Sequence, residues 1–433
     1  MSKPDKADNV VEIAIVGAGI IGIATAYYLS VKHGRASVLL IDSRAPMSYT
    51  SAQSGDNFRN WWPHPTMTAF TNDSIDLMQS LAVETRNRFN MTDRGYVLAT
   101  RRADIGELTA AVGSRIDVDV FSDPGLIGRK FPALSDDIRH VVHVKRGGDF
   151  SGQQLGQYML EQFREAGGKR LSGDVTDIRN DKAYAIKIDC EDGIRIVEAD
   201  VVINAAGPFI KRIGEMLGVD LPVINIYQQK IAFDDKLAAI PRDMPFSIDL
   251  DEKELAWTDE ERALLAEDPE CRWLTQMMPA GTHCRPEGGE RGTWVKLGWA
   301  YNQRHSEPQH DLENETARDP QFPEIVMRGA AALLPSLTPY IQTPPARFAH
   351  YGGYYTMTTE NWPLIGPMGP TNAYIAGAMS GFGSMSACAA GNLCAAWVCG
   401  RELPDYATLL SLKRRDDATL MAELEKATNK GLL

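Results

Sequence analysis

The chain has no surplus of positive charge: 45 lysines and arginines stand against 57 acids, a formal net charge of −12 over 433 residues. That balance argues against nucleic acid, which calls for a basic stripe, yet it leaves room for a small basic pocket. Cysteine is sparse. Cys190, Cys271, Cys284, Cys388, Cys394 and Cys399 form no C-x-x-C pair and no framework spacing. They read as free thiols in a reducing compartment, so a cytoplasmic location is expected. His283 and Cys284 are adjacent but lack the spaced partners zinc requires, so no metal is expected. The start, MSKPDKADN, lacks the apolar core of a signal peptide. An uninterrupted apolar run is missing as well. No residue from Asn361 to Gly400 is charged, but Ser380, Gly381, Gly383, Ser384, Ser386 and Asn392 break the stretch. A membrane span needs about twenty largely apolar residues. A buried strand at Ala373–Ala376 and a buried helix over about Ser386–Val398 are expected instead.

What the chain does have opens at residue 11: VEIAIVGAGIIGIATAYYLSVKHGRASVLLID. Val11–Val16 reads as a strand, Gly17, Gly19 and Gly22 supply G-x-G-x-x-G at the turn into a helix, and a second strand, Val38–Ile41, ends on Asp42. Each part has a task in holding a dinucleotide. Gly17 allows a tight turn, Gly19 lets backbone approach a pyrophosphate, and Gly22 permits close packing of helix and strand. The helix start offers free N–H groups to phosphate, and Asp42, twenty residues past Gly22, is placed to accept from ribose hydroxyls.

The length suits two domains, interleaved in sequence. Helices are expected at Thr66–Asn90, Asp104–Val112 and Gly152–Ala166, and strands at Arg94–Thr100, Val201–Asn204 and Thr293–Trp299, with Leu126–Phe131 in a polar loop region. The strand Val201–Asn204 runs into Ala205, Ala206, Gly207 and Pro208, a second place for backbone to approach a cofactor. Asp234–Glu290 is charged and proline-rich, and reads as a solvated surface insertion or a lid. Within it Thr258 and Glu261 suggest a capping box.

Two further blocks accompany the fingerprint. One is Thr293–Trp299, TWVKLGW. The other comprises Gly352–Thr358, Trp362–Pro367 and Ala376–Ser384. Together the three resemble the flavin-dependent amine and amino-acid oxidoreductases of the D-amino-acid oxidase and monomeric sarcosine oxidase group. The resemblance implies FAD rather than NAD, and a Rossmann-like FAD domain interleaved with an antiparallel-sheet α+β substrate domain. The FAD domain is expected over residues 1–90, 145–222 and 345–433, and the substrate domain over 91–144 and 223–344. FAD contacts are expected from Gly17, Ala18, Gly19, Ile20, Ile21 and Gly22. Asp42, Ser43, Arg44, Ser51 and Ser54 should follow, with Val175, Ala206 and Gly207. Gly353, Gly381, Phe382, Gly383, Ser384 and Met385 complete the set. Donors at a helix start preceded by Ser380–Ser384 would stabilise negative charge on reduced flavin. Gly353 stands where some relatives carry a tethering cysteine, so non-covalent FAD is expected.

Lys296 sits mid-strand between Val295 and Leu297 and matches a lysine that promotes reaction with O2 in the sarcosine-oxidase-like branch. Arg59 matches a basic residue near the flavin, and Tyr355 a substrate-facing tyrosine. The departures are as informative. Met385, Ala300 and Trp62 replace the lysine, histidine and arginine of relatives, so sarcosine itself is not the expected substrate. Trp62, His64, Tyr227, His283, Arg285 and His350 are the candidates for substrate contact. The expected reaction is oxidation of a small amine or amino acid, with hydride passed to flavin N5 and O2 reduced to peroxide. Two alternatives stay open: an FAD-dependent 2-hydroxy acid dehydrogenase with His64, His283 or His350 as base, and a non-catalytic flavoprotein acting as an assembly factor.

Overall fold

The computed structural model of the chain describes residues 9–112, 117–289, 291–312 and 316–426. The apolar run Val10–Val16 forms the central strand of an eight-stranded sheet, parallel on one side to Val38–Asp42 and on the other to Gly193–Asn204. Lys169–Ser172 extends the sheet beyond Val38–Asp42. Ala373–Gly377 and then Leu364–Pro367 extend it beyond Gly193–Asn204. The first half of Gly193–Asn204 leaves this plane to pair with Tyr184–Cys190, which pairs in turn with Asp174–Asn180. The buried stretches Ile13–Val16 and Val38–Ile41 are apolar throughout because both faces are covered there. The helices Ile20–Tyr27, Pro65–Glu84, Gly152–Glu165 and Gly383–Val398 pack a core on one face. Ile210, Ile213, Leu221 and the 174–190 hairpin pack the other.

A second eight-stranded sheet runs in the order Phe348–Met357, Ile224–Asp234, Trp294–Gly298, His283–Glu287, Phe246–Asp249, Tyr96–Thr100, His140–Val144 and Val118–Phe121. Every neighbouring pair is antiparallel except Phe246–Asp249 with Tyr96–Thr100. One face carries Ile231, Phe233, Val295 and Leu297 and is covered by the helix Phe322–Leu333. The other face looks toward the first sheet's glycine turn. The fold is thus α/β with a parallel-containing sheet and a second, mainly antiparallel one.

Several boundaries differ from expectation for physical reasons. Leu126–Phe131 is not loop: Pro124–Lys130 is a helix, started by Pro124 and capped by Asp123, whose carboxylate accepts from the Leu126 N–H at 2.6 Å. The helix of the C-terminal block starts at Gly383 rather than Ser386. Asp234–Glu290 does contain the Thr258–Glu261 capping box and an exposed helix, Asp259–Glu267. It also supplies two interior strands of the second sheet, Phe246–Asp249 and His283–Glu287. These are short and carry polar residues, so no period of two was there to read. Phe348–Met357, inside the 345–433 segment, hydrogen-bonds along its length to Ile224–Asp234 in the second sheet.

Candidate active site

The turn after Val10–Val16 is closed by the Gly17 N–H to the Ile41 carbonyl at 2.8 Å, with Gly17 at φ +112°. A side chain at Gly17 would collide with the Ala205 carbonyl, and one at Gly22 with the Gly17 carbonyl, so helix and turn touch backbone to backbone. The Asp42 carboxylate accepts from the Ala18 N–H at 2.7 Å and the Arg44 N–H at 2.8 Å. Further lone pairs stay available to a ligand's hydroxyls. Ser51 Oγ accepts from the Ile20 N–H at 3.0 Å, bringing the 50–55 loop over the helix start.

Three abutting cavities form one trough from this turn. The first holds Ser43, Asp42, Arg44, Val175 and Ala206 in its wall, and the second Gly17, Ala18, Gly19, Ser51, Ala206 and Gly207. The third is lined by Gly19, Ile20, Ile21, Ser54, Gly353, Tyr355, Gly381, Gly383 and Ser384. Neighbouring cavities share walls: Gly17, Asp42, Arg44 and Phe209 at one junction, Gly19, Ser51 and Pro208 at the other. At the outer mouth the Arg44 guanidinium lies over Tyr49 (4.5 Å) and Phe209 (5.0 Å) and donates to the His310 carbonyl at 3.1 Å. At the inner end the Ser380 N–H donates to the Thr356 carbonyl at 2.9 Å, which seats the 378–383 turn on the second sheet. The helix Gly383–Val398 then begins with no side chain capping its first N–H groups.

The register fixes what faces this inner end. Residues paired across strands share a face, as do residues two apart. Tyr351, Lys230, Gly298 and His283 therefore lie in one row, and Lys296 and Arg285 in the next, all on the trough side. Tyr227 and His350 occupy the alternate positions. They lie on the other face, where His350 stacks on Phe322 at 5.6 Å and Tyr227 meets Tyr354 edge-on at 5.4 Å. Neither reaches the trough, because a shift of one residue in a strand reverses the face.

Lys296 is largely buried and held by two partners. Its Nζ is 2.9 Å from Glu287 Oε2 and donates to the Ser54 carbonyl at 3.3 Å. Arg285 shares that carboxylate at 2.7 Å and donates to the Gly55 carbonyl at 2.9 Å. The two cations brace the 50–55 loop from behind while its front lines the trough. Burial, then Arg285, lowers the Lys296 pKa from its ordinary value. Burial works to raise that of Glu287, but Arg285 and Lys296 outweigh it and the net shift is down. Arg59 is clamped between Trp62 (4.7 Å) and Tyr96 (4.9 Å) and donates to the Tyr96 hydroxyl at 3.1 Å. Trp62 packs edge-on against Phe382 at 4.8 Å, and its buried Nε1–H has no acceptor among the described residues. His64 caps the helix Pro65–Glu84 through Nδ1, which accepts from the Thr66 N–H at 3.2 Å, and rests on Trp362. Gly22, Phe382 and Met385 stand behind the trough rather than in its lining. The Met385 carbonyl accepts from Ser74 at 2.6 Å.

A model of one family, described as FAD dependent oxidoreductase and known as DAO, matches residues 12–397. The chain belongs to this family. Its DAO fold is shared with L-proline dehydrogenase from P. horikoshii, at TM-score 0.73 and 18% identity over 94% of this chain and 98% of that one. Glycine oxidase from Geobacillus kaustophilus gives 0.72 and 17% over 94% and 99%. Iminodiacetate oxidase from Chelativorans sp. BNC1 gives 0.68 and 20% over 92% and 98%. In sequence, mitochondrial dimethylglycine dehydrogenase from Homo sapiens is 23% identical over 55% of this chain. The chain spans under a third of the length of the curated relatives it matches.

The trough fits the family's cofactor. A side chain at Gly19 would enter it with only Ser51 Oγ nearby, at 3.1 Å, so the space above that residue is kept clear. Backbone N–H groups at two helix starts border it. Thr50, Gln53, Gly55, Met379 and Lys230 also line it. None was singled out from sequence. Lys230 alone had a readable signal, a charge mid-strand in IYQQKIAF. No described helix is long and apolar enough to cross a membrane.

Proposed function

We propose that this protein oxidises the C–N bond of a small amino acid or amine, with O2 as final electron acceptor. The observation that carries this reading is the continuous trough, bordered by the fingerprint at one end and by Tyr355, Gly381 and Ser384 at the other. Bound FAD would supply the acceptor for a hydride taken from the carbon beside nitrogen. Gly17–Ile21, Asp42, Ser51 and Arg44 would hold its dinucleotide portion non-covalently. None of the six cysteines lines the trough. The Gly383 helix start would favour negative charge gathering on the reduced ring.

The relatives' names agree on amino or imino acids: proline, glycine, iminodiacetate, dimethylglycine. A substrate amine that enters neutral needs no strong protein base, and the resulting imine hydrolyses in water. That suits a wall in which His283, buried with its Nδ1–H on the Gly281 carbonyl at 2.9 Å, has its pKa lowered to about 4, chiefly by burial. Such a group is a poor proton acceptor, which counts against oxidation of a 2-hydroxy acid through a histidine on this face. In our reading Tyr355, which lines the trough, faces the reacting centre, and Lys296 assists electron transfer to O2 through its charge from behind the 50–55 loop. Arg59, which does not line the trough, is held farther back between Trp62 and Tyr96.

The test is an anaerobic screen of amines, amino acids and hydroxy acids for bleaching of the flavin absorbance, followed by oxygen and a peroxide assay. Bleaching by amino compounds with stoichiometric peroxide is expected. Bleaching by hydroxy acids alone would refute the reading. Failure to form peroxide would replace O2 by another acceptor.

A further inference from the structure

Lys230 is 6% exposed, and among the described residues it is the only charged side chain lining the inner end of the trough. Its Nζ lies 5.4 Å from the centre of the Tyr355 ring. No carboxylate pairs with it among the described residues, in contrast to Lys296 one row away, which shares Glu287 with Arg285. A buried ammonium without a counter-charge bears a large desolvation cost, and a cation over an aromatic face recovers only part of it. The cavity it shares is also lined by Tyr355, Thr356, Gln53, Ser54 and Ser380, groups that give hydrogen bonds but no negative charge. A ligand completing this site brings the charge with it.

We infer that Lys230 receives an anionic group of the substrate, a carboxylate. The protein then acts on amino acids in preference to amines that lack an acid. This rests on the proposed C–N oxidation for the identity of the ligand. The position of Lys230 separates it from the cofactor's phosphates. It projects from the second sheet at the end bordered by Tyr355, Gly353 and Gly381. The phosphate end of the trough is bordered by Gly17, Ala18 and Arg44, none of which lines the cavity that holds Lys230. The field of Lys230 also bears on His283, where it acts with burial to keep the imidazole neutral. His283 is therefore no second cation for the same carboxylate.

The experiment uses FAD-loaded protein and titrates it anaerobically with acetate and, separately, with acetamide, following the flavin absorbance. Wild type is expected to bind acetate at least about 30-fold more tightly than its neutral isostere, the ratio typical of losing one partner of a buried charge pair. Equal binding of the two would overturn the inference without any variant. Lys230→Met should weaken acetate by a similar factor at unchanged FAD content, and Lys230→Arg should restore it to within about threefold. Acetate binding by Lys230→Met at the wild-type level would likewise overturn it. So would a Lys230→Met enzyme slowed only in its reaction with O2. In turnover, glycine should outcompete methylamine, and proline should outcompete pyrrolidine, in wild type but not in Lys230→Met. If the paired substrates are oxidised equally by both proteins, C–N oxidation stands and the Lys230 assignment falls. If acetate binds through Lys230 but no amino compound bleaches the flavin, the anion site stands and the reaction is a different one.

Discussion

The two ends of the trough are built from different materials. The fingerprint end is mostly backbone: Gly17, Gly19, the N–H groups of Ala18 and Ile20, and one carboxylate, Asp42, already committed to that backbone. The inner end is made of side chains standing on a sheet, and two of them are lysines one row apart on the same face. Lys296 is compensated and braces a loop, whereas Lys230 faces the cavity without a counter-charge. Backbone built into a turn can recognise a phosphate common to many ligands. Side chains on a sheet can be exchanged singly, so in the proposed reading the substrate is chosen at the inner end.

The contrast is broken most severely at the fingerprint. Gly19→Val puts a branched side chain where only Ser51 Oγ now borders the space. FAD affinity should fall at least about 1,000-fold, some 4 kcal/mol, with the secondary structure kept. Flavin fluorescence on dilution together with circular dichroism measures both. Unchanged occupancy would remove this residue from the phosphate site and with it the functional division between the two ends.

The next effect belongs to the side-chain end and should appear as pH dependence. His283 has a folded pKa of about 4, below the ordinary 6.5, so the folded state favours the neutral ring. The unfolded chain binds the extra proton between those values. Its stability contribution is therefore complete above about pH 6.5 and is lost as pH falls toward 4, about 3 kcal/mol in all. His283→Asn keeps a donor for the Gly281 carbonyl and removes the titration. Its melting temperature should decline less than that of wild type from pH 7 to pH 4. Parallel curves for the two proteins would show that His283 is not held neutral by the fold.

The smallest effect distinguishes the two lysines. Lys296→Met leaves Glu287 compensated by Arg285, so folding and anaerobic reduction by substrate should stay near normal. The rate with O2 should slow about tenfold, or 1.4 kcal/mol. Stopped-flow mixing of reduced variant with oxygenated buffer reads it directly. Lys230→Met should do the reverse, harming substrate capture rather than reoxidation. Should both variants damage the same half-reaction, the distinction drawn between the lysines would be lost.

Much of this was legible before any coordinates. The first strand, the glycine turn, Asp42 and the buried C-terminal strand and helix all announce themselves through local chemistry. The second sheet was harder, because Phe246–Asp249 and His283–Glu287 are short, polar and set among charged loops. Lys296 stands out in the sequence by its match to the lysine of the sarcosine-oxidase-like branch. Lys230, an equally isolated charge in IYQQKIAF, did not stand out, because nothing in a single strand tells which of its faces meets a cavity. Tyr227 and His350 were candidates by residue type alone, and the pairing of Ile231 with His350 sets the latter on the face packed by Phe322.

The sequence by itself determined the first sheet's strand–turn–helix and the glycine turn at which, in the proposed reading, the cofactor's phosphates would rest. A strand, three glycines, a helix start and an acid act over thirty residues, and their geometry follows from neighbours along the chain. Only the tertiary structure decided which lysine is neutralised and which awaits a charge. Glu287 reaches Lys296 across a pair of antiparallel strands, and Lys230 meets Tyr355 across another. Whether a buried ammonium is satisfied depends on what stands within a few ångströms: Glu287 comes from the neighbouring strand, but Ser54 reaches Lys296, and Tyr355 reaches Lys230, from segments more than a hundred residues away.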